Sequence, residues 1–233
     1  MHIFITGVSK GLGKEFVDYF LSIGNTVTGI GRSHSFDHPN FSFIQCDLSN
    51  LNEVKSVKFD CKENEVVLIN NAGIIGNIKR ISDQNESDIQ EVMTINTISP
   101  MILCQAFLRQ TENENKLTII NISSGAANRP IPSWAAYCSS KIAMDRFSET
   151  IYLEEQEKGR NIKVFSIAPG VIDTSMQEKI RGSKNVDFSS LGNFISLHEN
   201  GDLISTKDAV NKLVKLIRKT ESNPVICSLK DLV

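Results

Sequence analysis

Several things are scarce in this 233-residue chain. No C-x-x-C pair occurs, and the five cysteines (Cys46, Cys61, Cys104, Cys138, Cys227) are scattered and odd in number. That pattern argues against a disulfide framework and for a reducing compartment. The four histidines (His2, His34, His38, His198) lack zinc spacing. His34 and His38 stand four apart in a Pro-flanked loop without further ligands, so no metal site is expected. An excess of one charge is missing too. With 25 Lys and Arg against 27 Asp and Glu, the net charge of −2 gives no reason to expect nucleic acid or an anionic membrane as partner. The longest apolar run, "PMILCQAFL", is too short to span a bilayer. The opening "HIFITG" has neither a basic n-region nor a long apolar h-region, so no signal peptide is evident and a cytoplasmic protein is expected.

What is present is a rhythm. Short apolar runs at residues 3–6, 26–31, 41–47, 65–73, 116–124, 162–170 and 224–229 read as strands. Amphipathic stretches at 14–24, 88–110, 135–158 and 207–220 read as helices between them. Near-continuous apolar strands alternating with helices imply an α/β chain: one doubly wound domain over 1–233, with a mainly parallel sheet covered on both faces. One stretch breaks the rhythm. Residues 174–205 are polar and loop-like, and Met176 and Gln177 within them are candidates for a lid over a substrate.

The turn after the first strand, "TGVSKGLG", carries Gly7, Ser9, Lys10, Gly11, Leu12 and Gly13. Gly7 suits a tight turn, Gly11 lets backbone approach a pyrophosphate, and Gly13 allows close helix–strand packing. The helix N-terminus behind them favours phosphate charge. The second strand ends in "GIGRS", with Arg32 where a carboxylate would hydrogen-bond the ribose of NAD. Two cations, Lys10 and Arg32, and no acid favour the 2′-phosphate of NADP.

Further on, "AAYCSSK" places Tyr137 four residues before Lys141, one helical turn apart on one face. A cation beside a phenol favours the phenolate and lowers its pKa toward the range of a useful proton shuttle. Ser124 ends the fifth strand 13 residues earlier, at the edge where open α/β sheets bind ligands. Its hydroxyl is placed to hold a substrate oxygen near Tyr137, while Ser123 points to the other face. Trp134 is either a wall of the substrate pocket or packing at the helix start.

Taken in order, "TGVSKGLG", "CDLS" (46–49), "NNAG" (70–73), "IN" (95–96), "NISS" (121–124), Tyr137 with Lys141, and "PG" (169–170) resemble the short-chain dehydrogenase/reductase family over nearly the whole chain. Within it, "NISSGA", "SWAAYC" and "APGVIDTSMQEKIR" are most similar to the sepiapterin reductase and benzil reductase branch. The resemblance implies a seven-stranded sheet and a nicotinamide cofactor. It implies that Asp47 and Leu48 lie near adenine and that Asn70, Ala72 and Gly73 line the cofactor path. Pro169, Gly170, Val171 and Thr174 would lie beside the nicotinamide, and Tyr137 and Lys141 would touch the cofactor as well. Asn96, Ser124, Tyr137 and Lys141 form the implied catalytic set, with Asn96 holding a water that links Lys141 to solvent. A homodimer or homotetramer through the helices at 88–110 and 135–158 is implied too. Sepiapterin reductases anchor the pterin with a carboxylate near the C-terminus. Here Cys227 or Ser228 stands about there, and Asp231 comes several residues late. That departure favours an NADPH-dependent reductase of a small ketone or vicinal diketone. A pterin or 3-oxoacyl reductase, and a non-enzymatic NADP-responsive module, are the alternatives.

Overall fold

Runs of β-branched and aromatic side chains form seven strands: β1 His2–Thr6, β2 Thr26–Gly31, β3 Phe41–Gln45, β4 Glu65–Asn70, β5 Lys116–Ile122, β6 Ile162–Ala168 and β7 Ile226–Ser228. This computed structural model describes residues 1–60, 62–112, 115–218 and 224–231. The strands lie in the order β3-β2-β1-β4-β5-β6-β7, every neighbouring pair parallel. Parallel strands need crossovers, and helices supply them on both faces. The order turns outward from β1 and β4, and the crevice at such a reversal is where open α/β sheets bind ligands.

Eight helices occur among the described residues: α1 Gly11–Ser22, α2 Leu51–Ser56, α3 Glu86–Met93, α4 Ser99–Gln110, α5 Ala135–Glu157, α6 Ser175–Arg181, α7 Leu191–Glu199 and α8 Thr206–Arg218. One face of the sheet receives α1 and α8, where Phe16, Phe20, Leu213 and Leu216 pack against Ile3, Ile5, Val67 and Ile69. The other receives α2, α4 and α5, with Leu103, Phe107 and Ile151 against Phe4, Leu68 and Ile119. Each large apolar side chain so removed from water contributes about 1.5–3 kcal/mol. These two layers hold the strand ends still under the site.

A π-helical turn over Thr94–Ile98 joins α3 to α4 without a break. The combined helix, Glu86–Gln110, is long and apolar enough to cross a membrane. Here its Leu103, Cys104 and Phe107 are fully buried against the sheet. The inner face of α5 is polar where the sheet beneath is polar: Ser148 accepts from Asn121 Nδ2 (2.8 Å), and Asp145 accepts from Ser166 (2.6 Å).

Three expectations change. Helix α1 starts at Gly11, not residue 14, because the glycine turn itself supplies the first helical residues. The stretch 174–205 is not a loop. It folds into α6 and α7, whose Ile180, Leu191 and Phe194, with Phe188 between them, bury against Trp134. The last helix is described to Arg218, so residues 219 and 220 of its expected span lie outside the described residues.

Candidate active site

The glycine turn forms a cradle. Gly7 and Gly11 adopt φ of +74° and +58°, in the left-handed region where a side chain is strained. A methyl on Gly13 would stand 2.2 Å from the Gly7 carbonyl oxygen, so only glycine lets the helix approach the strand this closely. Lys10, the N-cap of α1, makes no side-chain cap bond, and the first turn holds no acid. The amide groups at this N-terminus are therefore left for an anion. The residues fit a pyrophosphate. Ser9 and Lys10 are exposed beside the cradle, and Leu12 sends its side chain into the core, leaving its backbone to the site. Thr174 closes the cradle from the far side, 3.4 Å from where a Gly11 methyl would lie.

The loop after β4 is fastened to this turn. Asn71 Nδ2 donates to the carbonyls of Thr6 (3.0 Å) and Gly7 (3.2 Å), and Thr6 Oγ1 accepts from the amides of Asn71 and Ala72 (3.0 Å each). Thr6 and Asn71 were not singled out from sequence, although both stand inside the quoted motifs. Asn70 is turned inward, donating to Asn121 Oδ1 (2.8 Å) and Cys104 Sγ (3.3 Å), so its side chain braces the loop from below. Gly73 lies against the next group of residues: a methyl there would meet Asn96 Oδ1 at 3.3 Å and Lys141 Nζ at 3.5 Å.

Asn96 sits in the π turn, where a widened helix brings a side chain in from the usual stack. Its Oδ1 accepts from the Ile74 amide (2.8 Å), and its Nδ2 donates to the Ile74 carbonyl (2.8 Å) and to Ser140 Oγ (3.1 Å). Lys141, 5% exposed, donates from Nζ to the Ile122 carbonyl at 2.8 Å and stands 5.7 Å from the centre of the Tyr137 ring. Ser124 caps a 3₁₀ turn, accepting from the Ala126 amide at 3.1 Å, and its hydroxyl is near enough to the Tyr137 phenol to draw its pKa down. Asn96, Ser124, Tyr137 and Lys141 thus share one neighbourhood at the strand ends.

Its electrostatics differ from the sequence reading in one respect. Burial pushes the Tyr137 phenol above its ordinary pKa, the Ser124 hydroxyl pulls it partly back, and Cys138 adds a smaller upward push. Burial likewise lowers Lys141 to about 8, opposed by Asp145. The expected lowering of the phenol by Lys141 is therefore not seen: burial sets the direction of the shift, and Lys141 is not among the groups that move it.

On the adenosine side, Arg32 is exposed and acts on Asp47. The Asp47 carboxyl is held below its usual range first by the Ser49 amide (2.9 Å), then by the Ser49 hydroxyl (2.8 Å), with Arg32 adding to this. Leu48 buries its side chain and accepts from Ser99 Oγ at 2.6 Å. On the substrate side, Pro169 is buried, Gly170 adopts φ +82°, and Ile204 donates its amide to the Val171 carbonyl at 2.9 Å. Trp134 stacks on Phe188 (5.3 Å, 13° between planes) and meets Tyr137 edge-on at 5.6 Å. Ser133, at φ +73°, ties the chain before it to the Asp187 carbonyl. Trp134 therefore packs at the helix start, between Tyr137 and the cap made by α6 and α7.

A dinucleotide cradle, a reversing parallel sheet and a buried Tyr–Lys pair beside a serine define a nicotinamide-dependent oxidoreductase fold. The family model for short chain dehydrogenases matches residues 1–185, and the chain belongs to that family. It is 34% identical over 239 residues to a benzil reductase ((S)-benzoin forming) of Bacillus subtilis, covering 98% of each chain. It is 26% identical to the sepiapterin reductase of Xenopus laevis, over 91% of this chain and 89% of that one. The crystal structure of a short chain dehydrogenase/reductase from Saccharomyces cerevisiae superposes with a TM-score of 0.83 at 26% identity, covering 100% of this chain and 99% of the other.

Proposed function

We propose that the chain is an NADPH-dependent reductase of small ketones or vicinal diketones, benzil-like in shape, working in a reducing cytoplasm. The observation that carries this is the buried Tyr137 side chain with the Lys141 ammonium 5.7 Å from its ring centre and the Ser124 hydroxyl acting on its phenol. Gly7, Gly11 and Gly13 with the start of α1 would hold the pyrophosphate, Lys10 and Arg32 the 2′-phosphate, and Lys141 a ribose. The bound cofactor supplies the hydride. Ser124 donates to the substrate oxygen and orients it. Tyr137 delivers its proton to that oxygen, and the Lys141 charge favours the phenolate left behind. The proton returns through Lys141. Asn96, fixed by its bonds to Ile74 and Ser140, would hold a water on that path.

A cleft of about 510 Å³ opens beside Val171, its wall part apolar (Ile131, Phe194, Leu197) and part polar (Arg129, Asn193, Asn200). Relatives named for benzil reduction favour the diketone. We further propose that copies pair as a homodimer or homotetramer through α4 and α5, where Ile98 just before α4 and Ile142 and Leu153 on α5 are exposed.

The test is the rate of NADPH oxidation with benzil, 1-phenyl-1,2-propanedione, sepiapterin and an acetoacetyl thioester, with NADH in parallel. Diketone turnover with NADPH preferred supports the proposal. Preference for NADH would sink the Lys10 and Arg32 argument alone, and turnover of only the pterin would overturn the substrate assignment.

A further inference from the structure

Asp145 is a buried acid that the chemistry above leaves unused. It lies one helical turn beyond Lys141 on the inner face of α5 and is 2% exposed. A carboxylate withdrawn from water is costly unless it is hydrogen-bonded and paired. The hydrogen bond comes from Ser166 Oγ on β6, fully buried, at 2.6 Å from Asp145 Oδ1. Its charge acts through space on Lys141, four residues back on the same buried face of α5, and opposes the loss of charge that burial imposes on that ammonium. The other groups facing Lys141 are Tyr137 on α5, the Ile122 carbonyl on β5, Asn96 in the π turn and backbone at Gly73, none of them a charged carboxylate. Toward Asp145, β6 presents the neutral Ser166.

We infer that Asp145 is a positioning residue for the reaction: clamped by Ser166, its carboxylate keeps Lys141 cationic and thereby sets the alkaline limit of activity. This rests on the roles of Tyr137 and Lys141 given above. The sign follows from the charges. An ammonium deep in the fold loses its proton more readily than one in water, and a fixed negative charge on the same helix face opposes that loss. The Ser166 bond matters because it ties the carboxylate to β6, so the charge stays under the site. With Asp145 neutralised, Lys141 would discharge at lower pH, the phenolate would lose its partner, and turnover would fail earlier as pH rises.

The experiment follows two signals in the full-length protein: the ¹⁵N shift of Lys141 Nζ across the alkaline range, and the pH dependence of kcat. Asp145→Asn is expected to move both midpoints acidward by about one pH unit. Ser166→Ala, which keeps the charge, is expected to move them less. An unmoved Lys141 midpoint in Asp145→Asn overturns the inference, whatever happens to thermal stability, since a tie between α5 and β6 would leave that titration alone. If the Asn variant does not fold, the wild type still decides. The Asp145 carboxyl ¹³C shift must step at the pH where Lys141 titrates, and a flat trace overturns the inference. The NMR readouts need no turnover. A chain that reduced none of the ketones would defeat the reductase reading while the influence of Asp145 on Lys141 stayed measurable.

Discussion

At Lys141 stability and activity respond to pH in opposite directions. The folded chain lowers this ammonium from 10.5 to about 8, so the unfolded chain binds more protons between those values. Stability contributed by the group therefore rises as pH climbs through that window. Below it, burying the charge costs about 3 kcal/mol, at roughly 1.4 kcal/mol per pH unit. On the proposed mechanism turnover needs the charged form and is expected to fall over the same window. Lys141→Met is accordingly expected to raise the urea midpoint of the ligand-free protein near neutral pH while removing turnover. A lowered midpoint would show that the bond to Ile122 outweighs the desolvation. Much of this site was legible as residue types in order: the glycine turn, the Asn-rich loop, Ser124, and Tyr137 with Lys141. The direction of the Tyr137 pKa was not, because spacing reports a neighbour but not how much water the fold removes. Asp145 escaped notice for the same reason, since its depth and its bond to Ser166 depend on how α5 lies on β6.

Among the elements, α6 and α7 depart most from what the sequence led one to expect. Their apolar residues are sparse in a polar stretch, and the pattern makes sense only once Trp134 stands opposite them, so periodicity reads a loop. Asn96 is a second case. A helix cap before Pro100 and a π turn look alike in sequence, and what separates them is the pair of bonds to Ile74, twenty-two residues back. Phe188 is fully buried between Trp134 and Phe194. Phe188→Ala is expected to cost about 3–5 kcal/mol in a denaturant titration. Because the cavity opens beneath the cap rather than beneath the glycine turn, the KM for the diketone should rise more than the KM for NADPH. Equal changes in both would place the cap outside substrate recognition.

For the molecule as a whole, the doubly wound parallel sheet was legible from alternation, and the outer helix faces are where we propose that copies associate. Leu153, near the C-terminal end of α5, is 60% exposed and belongs to the face proposed for that association. Sedimentation of the wild type is expected to give a dimer or tetramer and Leu153→Glu a smaller species, whereas a monomeric wild type would refute the pairing. The chain also has one tryptophan, and the fold has put it in contact with Tyr137 on one side and the cap on the other. Its emission therefore comes from a single known place. Reduced nicotinamide absorbs where indole emits, so quenching of that emission gauges how near the cofactor lies, and a change in its wavelength gauges how dry the cap keeps the ring. The protein carries its own optical probe, at the boundary between the rigid sheet and the part that meets the substrate.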